Sequence, residues 1–358
     1  MRKVADDLRQ YTCDAMAGQE IYSNRKALEK ATQMIRNSDT IFTTCIGAGI
    51  GLLRSEEFDT VIVDEASQQT EPTSLVPLVR GCSRAILVGD HVQLRPTVNP
   101  TALALDFDVS LFERLYTNAK LKGDQGVSTL MLDTQYRMHP KLCEFPSKEF
   151  YDGNLKSGIS ISDRELGACN FPFPKSAVAR GQDKERSIFI NCDSTEMPGQ
   201  KSKENRGQAE LCAHICKLLT TPPTKINTGN SIVVLTPYTR QAEALNRMLH
   251  SISQKIEVSS IDGFQGREAD IIIFVTVRCN AHCEIGFLKD MRRVNVALTR
   301  ARSALIVMGN RATLTGGPSD EESSKLWKRL LGALTEVKLE VPVSTRSDRK
   351  KSPMCSSK

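Results

Sequence analysis

Short runs of apolar, β-branched residues alternate with amphipathic stretches along most of this chain. The apolar runs begin near Val61, Arg84, Ser187, Ser231 and Ile271. Runs without polar positions are typical of strands covered on both faces, which belong to parallel sheets with helices on either side. The stretches at residues 25–37, 69–80 and 204–219 predict helices, the first of them capped by Ser23 or Asn24. The pattern predicts an α/β fold.

Polar residues follow two of the predicted strands at the point where each ends. The first run stops on Asp64 and Glu65, and the second stops on Gly89 and Asp90, with Gln93 close behind. Ligands of open α/β sheets bind beyond the carboxyl ends of the strands. A carboxylate there can hold Mg²⁺, a second can activate water, and an amide can contact a phosphate. An isolated acidic pair is usually only an exposed strand end, but the second polar strand end favours a nucleoside-triphosphate site.

Two further segments place polar side chains beside predicted strands. Thr43 and Thr44 lie in a short β-rich run, residues 41–51, whose glycines would let hydroxyl and main-chain donors approach a phosphate chain. Tyr136 offers a flat face for a base, and Arg137 beside it offers a cation. Each signal is weak alone, because small residues usually mark a turn and a Tyr–Arg pair is usually a surface pair.

The last third of the chain combines a glycine-punctuated loop with a basic helix. The loop holds Gln265, Gly266 and Glu268 immediately before an apolar strand. The segment 292–310 reads as a helix carrying four arginines that leads into a buried strand. A basic helix is usually a solvated face, but a guanidinium such as that of Arg300 can neutralise charge on a transferring phosphoryl group.

Composition adds limits on size and compartment. A chain of 358 residues is long enough for two domains, and we predict a linker at residues 121–128. Most of the net charge of +6 lies after Val343, where five basic residues accompany one acidic residue, so bulk charge is a weak sign of nucleic-acid binding. No apolar run is long enough to cross a membrane.

The cysteines indicate a reducing compartment rather than a disulfide framework. Eleven are scattered along the chain without a regular spacing. Cys212 and Cys216, with His214 between them, could suggest zinc, but a four-residue spacing without a second pair favours core packing. The same interpretation applies to Cys279 and Cys283.

Six segments together resemble the helicase motifs of superfamily 1. They are VIVDEASQ, GDHVQLRP, LDTQYRMHP, VVLTPYTRQ, SSIDGFQGRE and RRVNVALTRAR, in the family's order and approximate spacing. The similarity runs from about Ile41 to Asn310 and is greatest with the up-frameshift-like group, which includes the senataxin-like helicases. It implies two RecA-like domains of the P-loop NTPase fold with ATP between them. The first domain, residues 1–120, would be incomplete; the second would span 121–340, and 341–358 would be a disordered basic tail.

The resemblance also implies roles for individual residues around ATP, Mg²⁺ and a single strand of RNA or DNA. Catalytic roles fall on Asp64 as the Mg²⁺ ligand, Glu65 as the water-activating acid, Gln93 as the γ-phosphate sensor, and Arg137 and Arg300 on the γ-phosphate. Contacts with the cofactor fall on Tyr136 near adenine, and on Gln265, Gly266 and Glu268, the last towards the ribose. Contacts with the strand fall on Thr43, Thr44, Pro237 and Tyr238.

One family motif does not occur in this sequence, the phosphate-binding loop G-x-x-x-x-G-K-[ST]. The resemblance places that loop ahead of Asp64, on a strand that would lie before Met1. We therefore expect a first sheet without its central strand and a chain that does not hydrolyse ATP by itself.

The expected function is that of the C-terminal portion of an ATP-dependent 5′-to-3′ helicase in RNA surveillance or processing. It would act in the cytoplasm or nucleus with protein partners of an RNA-decay complex and without a membrane. The alternative is an inactive pseudo-helicase that binds nucleic acid or a partner. RNA and DNA remain equal candidates, because backbone contacts and stacking are largely indifferent to the sugar.

Overall fold

The computed structural model describes residues 25–123, 126–166, 169–175, 184–197, 199, 202–221, 230–253, 255–317 and 321–339. The predicted caps Ser23 and Asn24 and the basic tail 341–358 lie outside these ranges. Packing divides the chain into two compact units, Met1–Thr129 and Leu130–Lys358.

Unit 1 contains short helices and a two-stranded parallel sheet. Its helices are α1 Arg25–Arg36, α2 Cys45–Ala48, α3 Glu71–Leu78, α4 Pro100–Leu103 and α5 Leu111–Lys122. Its strands β1 Thr60–Val63 and β2 Arg84–Leu87 pair in parallel, with Thr60 opposite Arg84. Parallel pairing follows from the crossover through α3, which joins the two strands. The strands predicted at Val61 and Arg84 and the helices predicted at 25–37 and 69–80 are confirmed.

Three predictions for unit 1 are wrong in detail. Residues 41–44 form no paired strand; the hydroxyl of Thr44 accepts a hydrogen bond from the Gly47 N–H at 3.0 Å and caps α2, a local bond that outweighs β propensity. The sheet is not covered on both faces, because Ile62 is 65% exposed while Val63 beside it is buried. Successive strand residues face opposite sides, so only one face of β1 is covered in the part described. The predicted linker begins late, since α5 extends to Lys122.

Unit 2 begins with a short parallel pair of strands, β3 Thr134–Gln135 and β4 Lys156–Ser157. Its main sheet contains β5 Ser187–Asn191, β6 Ile232–Leu235, β7 Ile256–Ser259, β8 Ala269–Val275, β9 Ala301–Gly309 and β10 Thr335–Glu336. These six strands are parallel and lie in the order β10-β5-β9-β8-β6-β7. The helices are α6 Pro140–Phe150, α7 Arg206–Thr220, α8 Thr239–Leu249, α9 Met291–Leu298, α10 Arg311–Thr315 and α11 Glu321–Ala333.

Both faces of this larger sheet are buried, as the apolar runs predicted. On one face Ile271 and Ile273 of β8 pack in a core that includes Cys212 and Cys216 of α7. On the other face Phe274 lies against Trp327 of α11, with ring centroids 6.3 Å apart. Each fully buried Ile or Phe contributes about 1.5–3 kcal/mol relative to exposure. Core packing of the two cysteines is confirmed.

The arginine-rich segment divides differently from the prediction. Helix α9 ends at Leu298, where the Thr299 hydroxyl donates to the Asn295 carbonyl at 2.8 Å. Arg300 therefore lies in a turn and Arg302 in strand β9, so the prediction of one helix carrying all the arginines is wrong. The start of β9 is instead decided by pairing of Ala301 with β8.

Within the described ranges, the structure contains no helix that is both long enough and apolar enough to cross a membrane.

Candidate nucleotide and nucleic-acid site

The carboxyl ends of β1 and β2 lie side by side in unit 1. The Ala66 N–H donates to the Val88 carbonyl at 2.7 Å, and the Asp90 N–H donates to the Ser67 hydroxyl at 3.1 Å. Gly89 permits this approach, because a Cβ there would lie 2.8 Å from the Ser67 nitrogen. The two polar segments that sequence analysis selected therefore meet at one sheet edge.

The acidic pair leaves β1 through an unusual backbone conformation. Glu65 has a left-handed φ of +51°, uncommon for a residue with a side chain, and its N–H donates to Asp64 Oδ1 at 2.9 Å. Such conformations cost about 1–3 kcal/mol and cluster at functional sites. Gln68 donates its amide N–H to the Glu65 carboxylate. Both acids are exposed beyond the strand end, where a ligand can reach them.

The exposed carboxylate of Asp64 fits Mg²⁺ only as one member of a shared site. In the part of the chain that the structure describes, no cluster of three or more His, Cys, Asp or Glu side chains could hold a metal ion. Mg²⁺ usually keeps several waters and binds through one or two carboxylates plus substrate phosphates. The donor set therefore suits Mg²⁺ that arrives with a nucleotide.

Gln93 is positioned by Asp90, a residue at the predicted strand end to which the sequence assigned no role. Its amide donates to Asp90 Oδ2 at 2.6 Å, while Asp90 Oδ1 accepts the Val92 N–H at 3.1 Å. Asp90 thus orients the predicted phosphate sensor at the end of β2. The role of Gln93 itself stays a prediction.

A second polar group forms at the amino edge of the sheet in unit 2. Arg137 Nε lies 2.7 Å from Glu268 Oε2, and Arg137 Nη1 donates to the Thr299 carbonyl at 3.2 Å. Arg302 Nε lies 3.7 Å from Glu268 Oε1 and 3.7 Å from Asp270 Oδ1. Glu268 is therefore flanked by two arginines. The structure brings together Arg137 and Glu268, which are 131 positions apart in the chain.

The loop that carries Arg137 is held rigidly. Gln135 Oε1 accepts the main-chain N–H groups of Arg137 and Met138 at 2.9 and 2.6 Å. The His139 N–H donates to the Arg302 carbonyl at 2.7 Å, which docks the loop on the start of β9. Rigid support of this kind is what a guanidinium needs to meet a phosphate in a fixed geometry.

Tyr136 projects outward beside this group. Its side chain is 65% exposed, and Arg164 Nη2 donates to its carbonyl at 2.7 Å. The ring lies against Gly158, where a Cβ would collide with it. An exposed aromatic face is thus presented at the amino edge. The predicted stacking of Tyr136 near adenine stays a prediction.

Arg300 lies inside the fold. It is 2% exposed, and its Nε and Nη2 donate to the Val296 carbonyl at 3.0 Å and the Thr299 hydroxyl at 2.9 Å. The carboxyl end of α9, which carries partial negative charge, attracts this guanidinium. Arg302 is instead 38% exposed and reaches Glu268. Arg302 was among the four arginines of segment 292–310, but nothing in the sequence distinguished it from Arg300. The predicted role of Arg300 stays a prediction.

The loop before β8 depends on a glycine. Gly266 has a φ of +74°, a conformation that glycine adopts without strain. It separates Gln265 from Glu268, so that Glu268 meets Arg137 while Arg267 forms a two-bond ion pair with Glu257 of β7 at 2.7 and 2.6 Å. The adjacent residues Arg267 and Glu268 therefore form ion pairs with different partners.

At the carboxyl edge of the same sheet, Tyr238 is covered. It is 4% exposed, and Arg278 Nη1 donates to its hydroxyl at 3.3 Å. Burial raises the pKa of Tyr238, although Arg278 opposes the change. Pro237 is half-buried next to it. The predicted contact of Tyr238 with a single strand stays a prediction, but the ring face is not open in this structure.

Arg278 belongs to a buried ion pair that sequence analysis missed. Its Nε lies 2.8 Å from Glu196 Oε2, and the same oxygen accepts bonds from Cys279 N–H at 2.9 Å and Asn280 Nδ2 at 3.2 Å. Burial would raise the pKa of Glu196, but these donors outweigh it and the pKa lies below its ordinary value. The two partners are 82 positions apart, so no local pattern could reveal them.

A strained backbone conformation occurs at the same edge of the sheet, directly after β8. Val277 has a φ of +72°, which is exceptional for a β-branched residue. Its N–H and carbonyl bond to the side chains of Gln208 at 2.8 Å and Asn205 at 2.9 Å. The helix α7 thus holds the end of β8 in the conformation that turns Arg278 towards Tyr238.

Thr43 and Thr44 lie on the exposed segment that precedes α2 in unit 1. The hydroxyl of Thr44 is engaged as the helix cap, and a Cβ on Gly47 would lie 2.9 Å from it. Their predicted contact with a nucleic-acid strand stays a prediction.

Two family models match this chain. An AAA-domain family model matches residues 107–312, and a second AAA-domain model matches residues 2–100. Together they include both polar groups described above. The chain belongs to the AAA-domain helicases of superfamily 1, in the up-frameshift-like group.

Individual relatives cover most of this chain. It is 38% identical over 317 residues to the regulator of nonsense transcripts 1 homolog of Arabidopsis thaliana, covering 86% of this chain and 23% of that protein. The Drosophila melanogaster homolog is 38% identical over 334 residues, covering 90% and 26%. The ATP-dependent helicase NAM7 of Saccharomyces cerevisiae is 36% identical over 308 residues, covering 84% and 29%. The chain thus spans about a quarter of the length of these relatives.

Proposed function

We propose that this chain is part of an ATP-dependent helicase that moves 5′ to 3′ on single-stranded RNA or DNA. In this proposal Asp64 holds Mg²⁺ with the phosphates, Glu65 activates water, and Arg137 neutralises charge on the γ-phosphate. ATP binds one conformation of the protein more tightly than the other and so shifts the population towards it. Hydrolysis removes this stabilisation, and the repeated change of conformation moves the protein along the strand.

The observation that carries the proposal is the group formed by Arg137, Glu268 and Arg302 at the amino edge of β8 and β9. Two loops from distant parts of the chain are locked there, with Arg137 Nε 2.7 Å from Glu268. In this structure Glu268 is the ion-pair partner of Arg137. A bound nucleotide would offer its phosphate to Arg137 and its ribose hydroxyls to Glu268. A planar guanidinium makes such an exchange well, because its donors suit carboxylate and phosphate alike.

We infer a place in RNA surveillance or processing, with protein partners of an RNA-decay complex, in the cytoplasm or nucleus. The inference is supported by the names of relatives, which are regulators of nonsense transcripts and ATP-dependent helicases. It is also consistent with nine free cysteines in the described ranges. An inactive pseudo-helicase is not favoured, because the sequence retains the acidic pair Asp64 and Glu65 and also Arg137.

The test requires a phosphate-binding loop, which this sequence does not contain. We would join a segment that carries the motif G-x-x-x-x-G-K-[ST] ahead of the chain and measure ATP hydrolysis with and without oligouridylate. We expect stimulated hydrolysis by this extended chain and background hydrolysis by the chain alone.

Glu65→Gln is expected to lower the stimulated rate of the extended chain about 10²- to 10⁴-fold, because an amide cannot take the proton from water. Equal rates with glutamate and glutamine would contradict the proposal. Hydrolysis by the unextended chain, abolished by the same substitution, would show that the absent loop is not needed.

A further inference from the structure

One aromatic side chain at the carboxyl edge of unit 2 is left outside the core. Phe287 is 49% exposed, whereas its neighbours Ile285 and Leu288 are buried. Single exposed apolar residues are common, so the exposure alone means little. The manner in which Phe287 is held is more informative.

The turn that presents Phe287 is fixed on both sides. Gly286 has a φ of +56°, and a Cβ there would lie 2.7 Å from the Tyr238 hydroxyl. On the other side, Trp327 Nε1 donates to the Leu288 carbonyl at 3.1 Å. The phenyl ring is therefore presented by a rigid element and not by a mobile loop tip.

The Phe287 ring lies at the edge of the sheet where ligands usually bind. Phe287 meets Tyr238 with ring centroids 5.5 Å apart and planes at 56°. Tyr238 follows β6, and Arg278, which bonds to it, follows β8, so the ring lies at the carboxyl ends of two central strands. Open α/β sheets bind ligands at this edge. Because Tyr238 is buried, the accessible aromatic surface here belongs to Phe287.

Cationic groups accompany the ring. The guanidinium carbon of Arg293 lies 5.6 Å from the centroid of Phe287, within cation–π distance. Arg293 is held in place by two hydrogen bonds that it donates to the Asp262 carboxylate, at 2.9 and 3.0 Å. Arg240 lies two residues after Tyr238 in the first turn of α8; it is half-exposed, with its Nη2 3.8 Å from Glu204 Oε2. Aromatic faces beside basic side chains are the pattern by which proteins bind single strands without sequence preference.

We propose that the exposed face of Phe287 stacks on a base of the single strand that crosses the carboxyl edge of unit 2. This deepens the proposed function and rests on it. It places on Phe287 a contact with the strand, which the family resemblance implied for Tyr238, and makes Tyr238 a buried support for the Phe287 ring.

The test is the affinity of the chain for a fluorescein-labelled oligouridylate, measured by anisotropy. Phe287→Ala is expected to weaken binding about tenfold, the usual effect of losing one base–aromatic stack. Phe287→Trp should retain the affinity of the unaltered chain, and Phe287→Leu, which keeps bulk but lacks a π face, should resemble the alanine variant. The salt dependence of binding should not change, because a phenyl ring neutralises no phosphate.

Two controls separate stacking from other effects. Ile161→Ala removes a side chain of similar exposure, 47%, from a segment next to Tyr136 at the opposite edge, and should leave affinity unchanged. An oligonucleotide without bases should bind the unaltered chain and the Phe287→Ala variant equally. Equal affinity of these two proteins for oligouridylate, or full affinity of the leucine variant, would overturn the stacking proposal alone. No binding by the unaltered chain would overturn the proposed function with it.

Discussion

Replacing Arg137 by alanine in the extended chain is expected to lower nucleic-acid-stimulated ATP hydrolysis by about 10³-fold or more, the effect typical of a guanidinium that stabilises a transferring phosphoryl group. The structure holds this side chain through Glu268 and the Thr299 carbonyl at the amino edge of the sheet. The rate at saturating ATP is the quantity to measure, because charge develops on the phosphate in the transition state and the loss should fall mainly on kcat.

Arg137→Lys should recover little of this activity. A lysine keeps the charge but presents a compact ammonium in place of a planar fork, so it cannot meet two acceptors in fixed geometry. The contrast between the two variants therefore separates positioning from charge.

Arg267→Ala is the matched control. Arg267 lies next to Glu268 in the chain but pairs with Glu257 at 2.7 and 2.6 Å. The loss of Arg267 should leave the rate nearly unchanged, because its ion-pair partner is Glu257 and not Arg137, Glu268 or Arg302. A similar loss of activity from both alanine variants would indicate a general disturbance of the loop and would remove the assignment of Arg137.

The second large effect concerns stability. Glu196→Ala is expected to lower the free energy of unfolding by about 3 kcal/mol, because removing one partner of a buried ion pair leaves the other charge poorly compensated. Within the described ranges, Arg278 would retain as a charged partner only the exposed carboxylate of Glu284, 3.8 Å from its Nη2. The side chains of Glu196 and Arg278 are only 8% and 5% exposed. The Cys279 N–H and the Asn280 amide would also lose their acceptor. Urea unfolding at pH 7 measures the change.

An exposed pair of nearly the same length provides the comparison. Arg206 and Glu210 of α7 lie 2.9 Å apart, but their side chains are 63% and 45% exposed. Glu210→Ala should cost only about 0.3 kcal/mol, since exposed pairs one helical turn apart contribute little. Equal costs at Glu196 and Glu210 would show that burial does not control the strength of the first pair.

The contribution of Glu196 should also depend on pH. Its pKa in the folded state lies below the ordinary glutamate value of about 4.3. The carboxylate therefore stabilises the fold above that pH, and the stabilisation disappears as the pH falls through the folded-state pKa. The difference in stability between the unaltered chain and Glu196→Ala should shrink in acid, and a difference that grew in acid would contradict this account.

The sequence by itself determined the elements and the family. Apolar runs at Ser187, Ser231 and Ile271 became strands β5, β6 and β8 of one parallel sheet, because strands without polar positions are typical of sheets covered on both faces. Asp64 and Gln93 could be placed at one edge, since parallel strands end on the same side. The motif order identified the family before any contact was known.

Only the tertiary structure decided which side chains are available and which are held. Arg300 and Arg302 look equivalent in the sequence, yet one is buried against α9 and the other faces Glu268. Tyr238 is covered and Phe287 is exposed, although either ring could have stacked on a base. Burial and pairing depend on residues tens to more than a hundred positions away, such as Glu196 and Arg278, and no local pattern of apolar and polar positions encodes those contacts.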